Sequence, residues 1–107
     1  MADFTIKQND TSPTISVVLN GANGSPIDLS GATVVFKMGK SSGTLKVNET
    51  ITVASPSSGR VTYDWSEGDT DTSGTYFAEF EVTYYNGKKE TFPNTRPFTV
   101  AIKADKL

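Results

Sequence analysis

Apolar and polar residues alternate along most of this chain, and no stretch shows the 3.6-residue repeat of an amphipathic helix. The longest alternating run extends from Tyr76 to Tyr85. Its even-numbered residues are apolar or aromatic, and most of its odd-numbered residues are polar. Successive side chains of a β-strand point to opposite faces, so this alternation is typical of strands that bury one face. The sequence therefore predicts an all-β protein.

Clusters of turn-forming residues divide the alternation into about seven to nine short antiparallel strands, which fits an immunoglobulin-like β-sandwich better than a barrel. Two very short strands are predicted, one with Leu45 and Val47 and one with Ile51 and Val53. We expect both at a sheet edge, where their shortness and Lys46 discourage pairing with other chains. The predicted strands lie near residues 4–7, 15–19, 32–38, 45–47, 51–53, 60–65, 76–85, 88–92 and 98–102, with loops at 39–43 and 93–97 and a charged tail at 103–107.

The dipeptide Asn86-Gly87 directly follows the run that we predict to be the longest strand. It favours a two-residue hairpin of type I′, because both central residues of that turn need a positive φ, which asparagine and glycine tolerate. We therefore predict that the strand after Gly87 pairs with the strand before Asn86.

Residues 71–78 predict the corner of an immunoglobulin-type sandwich. Gly74 helps to shape a tight loop, and the hydroxyl of Tyr76 is expected to bond to loop backbone that would otherwise be unpaired. Antibody domains carry a cysteine two residues after this tyrosine, but the position here is Ala78 and the chain has no cysteine. The sequence thus predicts a sandwich without a disulfide, with its core built around Trp65 and Tyr76.

The chain has 107 residues and a formal net charge of −2, with its lysines and arginines scattered along the sequence. This length suits one two-layer domain, which we expect to span residues 1–107. Nucleic-acid binding is not expected, because affinity for phosphates comes mainly from a basic stripe. Membrane insertion is not expected either, since no apolar run approaches the ~20 residues that span a bilayer and no signal peptide is visible.

Side chains for conventional catalysis are scarce, because the chain contains no histidine and no cysteine. We therefore expect no enzyme activity, no catalytic residue, no metal and no cofactor. The segment Asp69-x-Asp71-x-Ser73-Gly74 matches the first half of a calcium-binding loop, but Phe80 occupies the position of the bidentate glutamate. A structural acidic turn ahead of the corner is the favoured interpretation, and weak calcium binding at the two aspartates stays open.

Four apolar residues fall on the nominally outward faces of the predicted strands: Phe77, Tyr85, Val18 and Val35. Scattered singly, such residues are ordinary on a protein surface. Joined into one patch, they mark a protein interface, and one sheet of a sandwich is a natural docking surface. We therefore regard these four residues as the candidate interface.

In the order of these signals, the chain resembles the N-terminal immunoglobulin-like domain of baseplate upper proteins from tailed phages of Gram-positive bacteria. The resemblance spans nearly the whole chain, and it depends on the order and spacing of several segments. They are residues 4–13 (FTIKQNDTSP), 28–38 (DLSGATVVFKM), 59–65 (GRVTYDW) and 69–80 (DTDTSGTYFAEF), followed by Asn86-Gly87 and Thr91-Phe92-Pro93.

The resemblance implies a non-enzymatic virion structural protein that acts in tail or baseplate assembly and docking, associated with host adsorption. It implies other phage tail or baseplate proteins as partners, several copies around the tail axis, and a place in the virion after synthesis in the host cytoplasm. Because baseplate upper proteins continue into a connector and a C-terminal part, we expect the chain to be either an excised domain or a small stand-alone product.

Two alternatives from other classes stay open. The first is a carbohydrate-binding module that recognises host cell-wall polysaccharide through exposed aromatic residues, with Phe77, Tyr85 and Phe92 as the candidates. The second is an immunoglobulin-like repeat of a bacterial surface protein. Trp65, Tyr63 and Tyr84 are the aromatics that suggest a stacking platform, but their register with apolar neighbours favours a place in the core.

Overall fold

The computed structural model describes residues 2–40, 43–93 and 98–104. Within these ranges the chain forms eight β-strands and one short 3₁₀ helix, which confirms the predicted all-β architecture. The predicted loop residues 41–42 and 94–97 and the tail residues 105–107 lie outside the described ranges. The strands are β1 (Phe4–Lys7), β2 (Ile15–Val18), β3 (Thr33–Gly39), β4 (Leu45–Ser55), β5 (Arg60–Tyr63), β6 (Gly74–Thr83), β7 (Lys89–Phe92) and β8 (Phe98–Lys103), and the 3₁₀ helix is Pro56–Ser58.

The strands form two sheets that face each other across a shared core. The larger sheet has the order β1-β8-β6-β3-β4, and β7 continues alongside β6 beyond β8. The smaller sheet has the order β2-β5-β4. All pairs are antiparallel except β1 with β8, which run parallel. This arrangement confirms the predicted β-sandwich.

Strand β4 belongs to both sheets, and this corrects the prediction of two short strands. Its residues 45–51 pair with β3 in the larger sheet, and its residues 52–55 pair with β5 in the smaller one. The strand in fact continues unbroken through Asn48, Glu49 and Thr50, which we had interpreted as a break because they are polar. With 11 residues, β4 is also one residue longer than β6, which the sequence had predicted to be the longest strand.

Aromatic side chains fill the centre of the core. Phe36 of β3 is fully buried, and its ring stacks on Tyr63 of β5 with a centroid distance of 4.7 Å. Trp65 lies just after β5, packs edge-on against both rings and donates its indole N–H to the carbonyl of Pro13 at 3.1 Å. Burying a large apolar side chain stabilises a fold by about 1.5–3 kcal/mol, so these three rings are among the main contributors to stability.

The β6–β7 hairpin is present, but its turn is not of type I′. Asn9 is the one non-glycine residue with a positive φ in the described part of the chain, so Asn86 does not adopt the conformation that a type I′ turn requires. The amide of Gly87 donates to the carbonyl of Tyr84 at 2.8 Å, and Tyr84 N–H donates to Lys88. The loop therefore has three residues, with a β-turn followed by Gly87 at a φ of 88°.

We predict that Gly87→Ala destabilises the protein by about 1–2 kcal/mol, because an alanine held at positive φ is strained. A Cβ at Gly87 would meet no atom within 4 Å, so the effect reports backbone conformation alone. Urea unfolding measures the change, and Gly87→Asn is the matched control, since asparagine tolerates this conformation better. Equal stability of Gly87→Ala and the wild type would contradict the assigned turn.

Candidate functional site

The predicted corner is formed by the loop that precedes β6. The hydroxyl of Tyr76 donates to the carbonyl of Thr72 at 2.6 Å, and the Tyr76 ring is buried. Gly74 opens the strand with a φ of 148°, a conformation that side-chain-bearing residues rarely adopt. The ammonium group of Lys40 lies 5.3 Å from the centre of the Tyr76 ring. The corner thus satisfies the carbonyl of Thr72, which faces away from any strand ladder.

The acidic turn directs its two candidate calcium ligands to different partners. The carboxylate of Asp69 accepts hydrogen bonds from the hydroxyl of Tyr63 and from the amide of Ser66, the latter at 2.8 Å. The carboxylate of Asp71 instead pairs with the ammonium group of Lys46. No group of three or more potential metal ligands occurs among the described residues. The geometry shows Asp69 stabilising the turn and Asp71 fastening that turn to β4.

The ion pair between Lys46 and Asp71 shifts the pKa values of both residues. The hydrogen bond from Lys46 holds the pKa of Asp71 below its usual value, and the bond to Asp71 raises the pKa of Lys46. The side chain of Asp71 is about half exposed, so solvent screens the pair and we assign it a minor part in stability.

The aromatic residues considered for a stacking platform do not form one. Trp65 and Tyr63 are each only 5% exposed, and both pack in the core. Tyr84 is half-buried and donates its hydroxyl to the carboxylate of Glu90 at 2.8 Å. The ring faces of Trp65 and Tyr63 are therefore buried in the core, and Tyr84 alone does not make a platform.

The four candidate interface residues occupy three different places. Phe77 and Val35 lie on the outer face of the larger sheet, on the neighbouring strands β6 and β3. Tyr85 lies at the tip of the β6–β7 hairpin, where its side chain is 84% exposed. Val18 lies on β2 in the smaller sheet, beside a groove that Phe92 and Phe98 also line. The structure therefore places Phe77 and Val35 on one face, with the charged row of Lys37 and Glu79 between them, and it separates both from Tyr85 and Val18.

Leu45 lies beside Phe77 on the outer face of the larger sheet, although it was not among the four candidate interface residues. One row of cross-strand neighbours runs from Thr99 through Phe77 and Gly39 to Leu45. Phe77 and Leu45 lie on either side of the buried Gly39, line a shallow depression and stay 38% and 46% exposed. Gly39 is covered by the neighbouring loop, because a Cβ there would clash with the carbonyl oxygen of Thr44. The sequence analysis predicted Leu45 only as part of a short edge strand with Val47, and the extra residue Lys46 in β4 places Leu45 on the outer face.

Two tyrosine hydroxyls have shifted ionisation. Burial, with the hydrogen bond to Asp69 as a second cause, raises the pKa of Tyr63 well above 10. Burial and the hydrogen bond to Glu90 raise the pKa of Tyr84 to about 12. In both cases a phenolate would face a carboxylate in a partly desolvated position, so the folded protein retains these protons.

Comparison with known proteins identifies a family and a related fold. The family model for the BppU N-terminal domain matches residues 2–107. The solved structure of CopC from Methylosinus trichosporium OB3b superposes with a TM-score of 0.58 and 13% sequence identity, over 100% of this chain and 89% of that one. At this identity the likeness shows a shared β-sandwich fold alone. No protein with a curated description matches the sequence significantly. In the described ranges, no helix is long and apolar enough to cross a membrane.

We predict that Tyr76→Phe lowers the free energy of unfolding by about 0.5–1.5 kcal/mol, because it removes the hydrogen bond to the carbonyl of Thr72. Tyr85→Phe is the matched control, since the same hydroxyl is removed from an exposed side chain, and we expect no change there. Chemical denaturation of both variants measures the difference. If the two variants are equally stable, the corner hydrogen bond is not a stabilising contact.

We also predict that stability falls as pH rises from about 10 through about 12. The folded-state pKa values of Tyr63 and Tyr84 lie above the ordinary value of 10, so the unfolded chain loses these protons first. The stabilisation that the protonated hydroxyls of Tyr63 and Tyr84 provide is therefore fully present below pH 10, and it is lost as pH rises through the folded pKa values. Urea midpoints across this range should decline less steeply in Tyr63→Phe and Tyr84→Phe than in the wild type. The same slope in all three proteins would contradict the prediction.

Proposed function

The chain belongs to the BppU N-terminal domain family of phage baseplate structural proteins, and from this we propose that it is a non-enzymatic assembly and docking module associated with host adsorption. The family match over residues 2–107 is the observation that carries the proposal, because it includes nearly every residue of the chain. We propose further that residues 1–107 act as one unit, that the protein is made in the host cytoplasm, and that several copies surround the tail axis of the virion.

The outer face of the larger sheet is the docking surface that we propose for other tail proteins. Phe77 and Leu45 are two exposed apolar side chains that lie on either side of Gly39 in one cross-strand row. In the adjacent row Glu79 lies opposite Lys37, so charged residues border the apolar depression. An apolar centre with a polar rim is the usual composition of a protein interface. Val35 extends the same face by a further row of neighbours.

The arrangement supports contact through a surface and gives no support to binding in a deep pocket. The sheet itself is rigid, because β6 pairs with β3 on one side and with β7 and β8 on the other. Side chains on such a strand are held in place before a partner arrives, which lowers the entropic cost of docking. Phe77 lies on this central strand and is therefore the expected anchor.

The carbohydrate-binding alternative has less support. It would need exposed aromatic side chains on one surface, and Phe77, Tyr85 and Phe92 are its candidates. Phe92 is only 2% exposed and belongs to the core. Tyr85 lies eight residues beyond Phe77, or about 26 Å at the rise of an extended strand. No common platform for a sugar chain results.

We predict that the protein is present in purified virions and that Phe77→Ser and Leu45→Ser reduce its incorporation. Loss of an interface anchor typically costs about 1–2 kcal/mol or more, equivalent to about 5–30-fold weaker binding. The test complements a phage that lacks the gene with tagged variants and counts copies per virion by quantitative mass spectrometry. Tyr85→Ser is the control, since it removes an exposed aromatic residue from the hairpin tip.

The two parts of the proposal fail separately. If the wild-type chain is absent from virions, the structural role in the particle is wrong. If the wild type is incorporated and the Phe77 and Leu45 variants are incorporated equally well, the role stands and the docking face is wrong. Binding of the chain to purified host cell walls, abolished by Tyr85→Ser, would favour the carbohydrate-binding alternative.

A further inference from the structure

The first half of β4 forms an open edge of the larger sheet. Residues 45–51 pair with β3 alone within the described part of the chain, so their second edge carries unpaired backbone N–H and C=O groups. A long edge strand is a template for pairing with another chain, and proteins protect such edges explicitly. With 11 residues β4 is not short, and it contains no proline.

Lys46, the residue that we expected to protect this edge, is engaged elsewhere. Val47 pairs with Met38 and Leu45 pairs with Gly39, which makes Lys46 the extra residue of a bulge. Its ammonium group is bound to Asp71 of the acidic turn. Lys46 therefore fastens β4 to the rest of the domain, and residues 47–51 beyond it form a regular stretch of open edge.

Glu49 is the exception in this stretch, because it occupies a position on the inner face. It lies opposite Phe36, whose side chain is fully buried, and between the inward-facing Val47 and Ile51. The Glu49 side chain is nonetheless exposed, since β4 is the last strand of the sheet. No ion pair or hydrogen bond of its carboxylate occurs with any other described residue.

A second glutamate shows the same placement. Glu90 pairs with Val82, so it too lies on the inner face, and its strand β7 pairs with β6 alone among the described strands. Its carboxylate accepts the hydroxyl of Tyr84 at 2.8 Å. These two glutamates are the charged residues at inner-face positions of the described strands, and both lie on strands at a sheet edge. Within the described part of the chain, charged residues at inner-face positions therefore occur where a strand lies at a sheet edge, and not in the central strands that build the core.

The register of a strand determines what Glu49 would meet if two copies paired through β4. Two antiparallel strands related by a two-fold axis must match inner face with inner face, because a shift of one residue exchanges the faces. Residues 47, 49 and 51 are the inner positions of this stretch. Glu49 would therefore lie opposite Val47, Glu49 or Ile51 of the second copy, and never opposite a lysine.

We propose that Glu49 closes the β4 edge to a second copy of this chain. In each permitted register, pairing would enclose its carboxylate between apolar side chains or place it against another carboxylate. Removing a charge from water without a partner opposes association strongly, and like charges on directly opposite residues are also unfavourable. Glu49 stays hydrated in the monomer, so the charge at this position costs the fold little.

This inference goes beyond the proposed function and does not depend on it. Protection of the β4 edge matters most where several copies are held close together, because a high local concentration favours any contact that geometry allows. Such copies have to assemble through their docking surfaces and not through their sheet edges.

The test compares self-association of Glu49→Val with that of the wild type and of two further variants. Valine restores an unbroken apolar inner row in β4, so we expect self-association at least tenfold stronger than in the wild type by sedimentation equilibrium. Glu67→Val makes the same substitution at an exposed glutamate in the turn after Trp65, outside the strands and outside the proposed docking face, and we expect it to match the wild type. Glu49→Lys keeps a charge at the edge, and we expect it to match the wild type too.

Hydrogen exchange locates the contact. In the associated Glu49→Val protein, amides within residues 45–51 should become protected, and Glu49→Thr should show the same change if the valine variant folds poorly. Any of the following association results would overturn the proposal: Glu49→Val and Glu49→Thr that associate no more than the wild type, equal association of Glu49→Val and Glu67→Val, or association of Glu49→Lys as strong as that of Glu49→Val. Association without protection in β4 would overturn it as well.

Discussion

The stacking of Phe36 on Tyr63 joins the two sheets, and the remainder of the fold depends on this contact. Phe36 lies on β3 near the centre of the larger sheet, and Tyr63 ends β5 in the smaller one. The chain has no cysteine, so no disulfide can connect the sheets. Trp65 packs edge-on against both rings, and aromatic pairs contribute about 0.5–1.5 kcal/mol each beyond burial of their surface. Three aromatic side chains thus have the bridging position that a disulfide has in antibody domains.

Much of the fold could be predicted from the sequence, because the alternation of apolar and polar residues indicates which side chains of each strand are buried. It places Phe36, Tyr76 and Phe80 on inner faces, where the structure has them. Alternation does not state which sheet a strand joins, and β4 shows the consequence. Polar residues at an edge resemble a loop in sequence, although the strand continues through them. The hairpin shows a related limit, since Asn86-Gly87 is compatible with both a two-residue and a three-residue loop.

The candidate surface was less predictable than the fold, for a physical reason. Whether outward residues form one patch depends on the order of strands in each sheet, and this order is a property of the folded chain. Val18 and Val35 show the same outward position in their strands, but they lie on different sheets. Leu45 was not predicted as an outward residue because its direction depends on the bulge at Lys46. The extra residue of a bulge exchanges the inner and outer positions of the residues that precede it. The glutamate at position 49 did leave a signal, namely an acid between Val47 and Ile51 in an inner row.

The crossing of β4 between the sheets explains how a charge at that position is compatible with folding. Glu49 lies two residues before the strand turns towards β5, and there the sheets part. It lines an open polar depression together with Thr62 and Asp64. Water therefore reaches the carboxylate in the monomer, and the fold loses little stability by keeping it. A strand added to the same edge would cover this opening and remove that water. Because β4 crosses between the sheets here, a glutamate at position 49 is nearly neutral for folding but unfavourable for edge pairing. Folding stability and resistance to edge pairing can therefore be selected independently at this position.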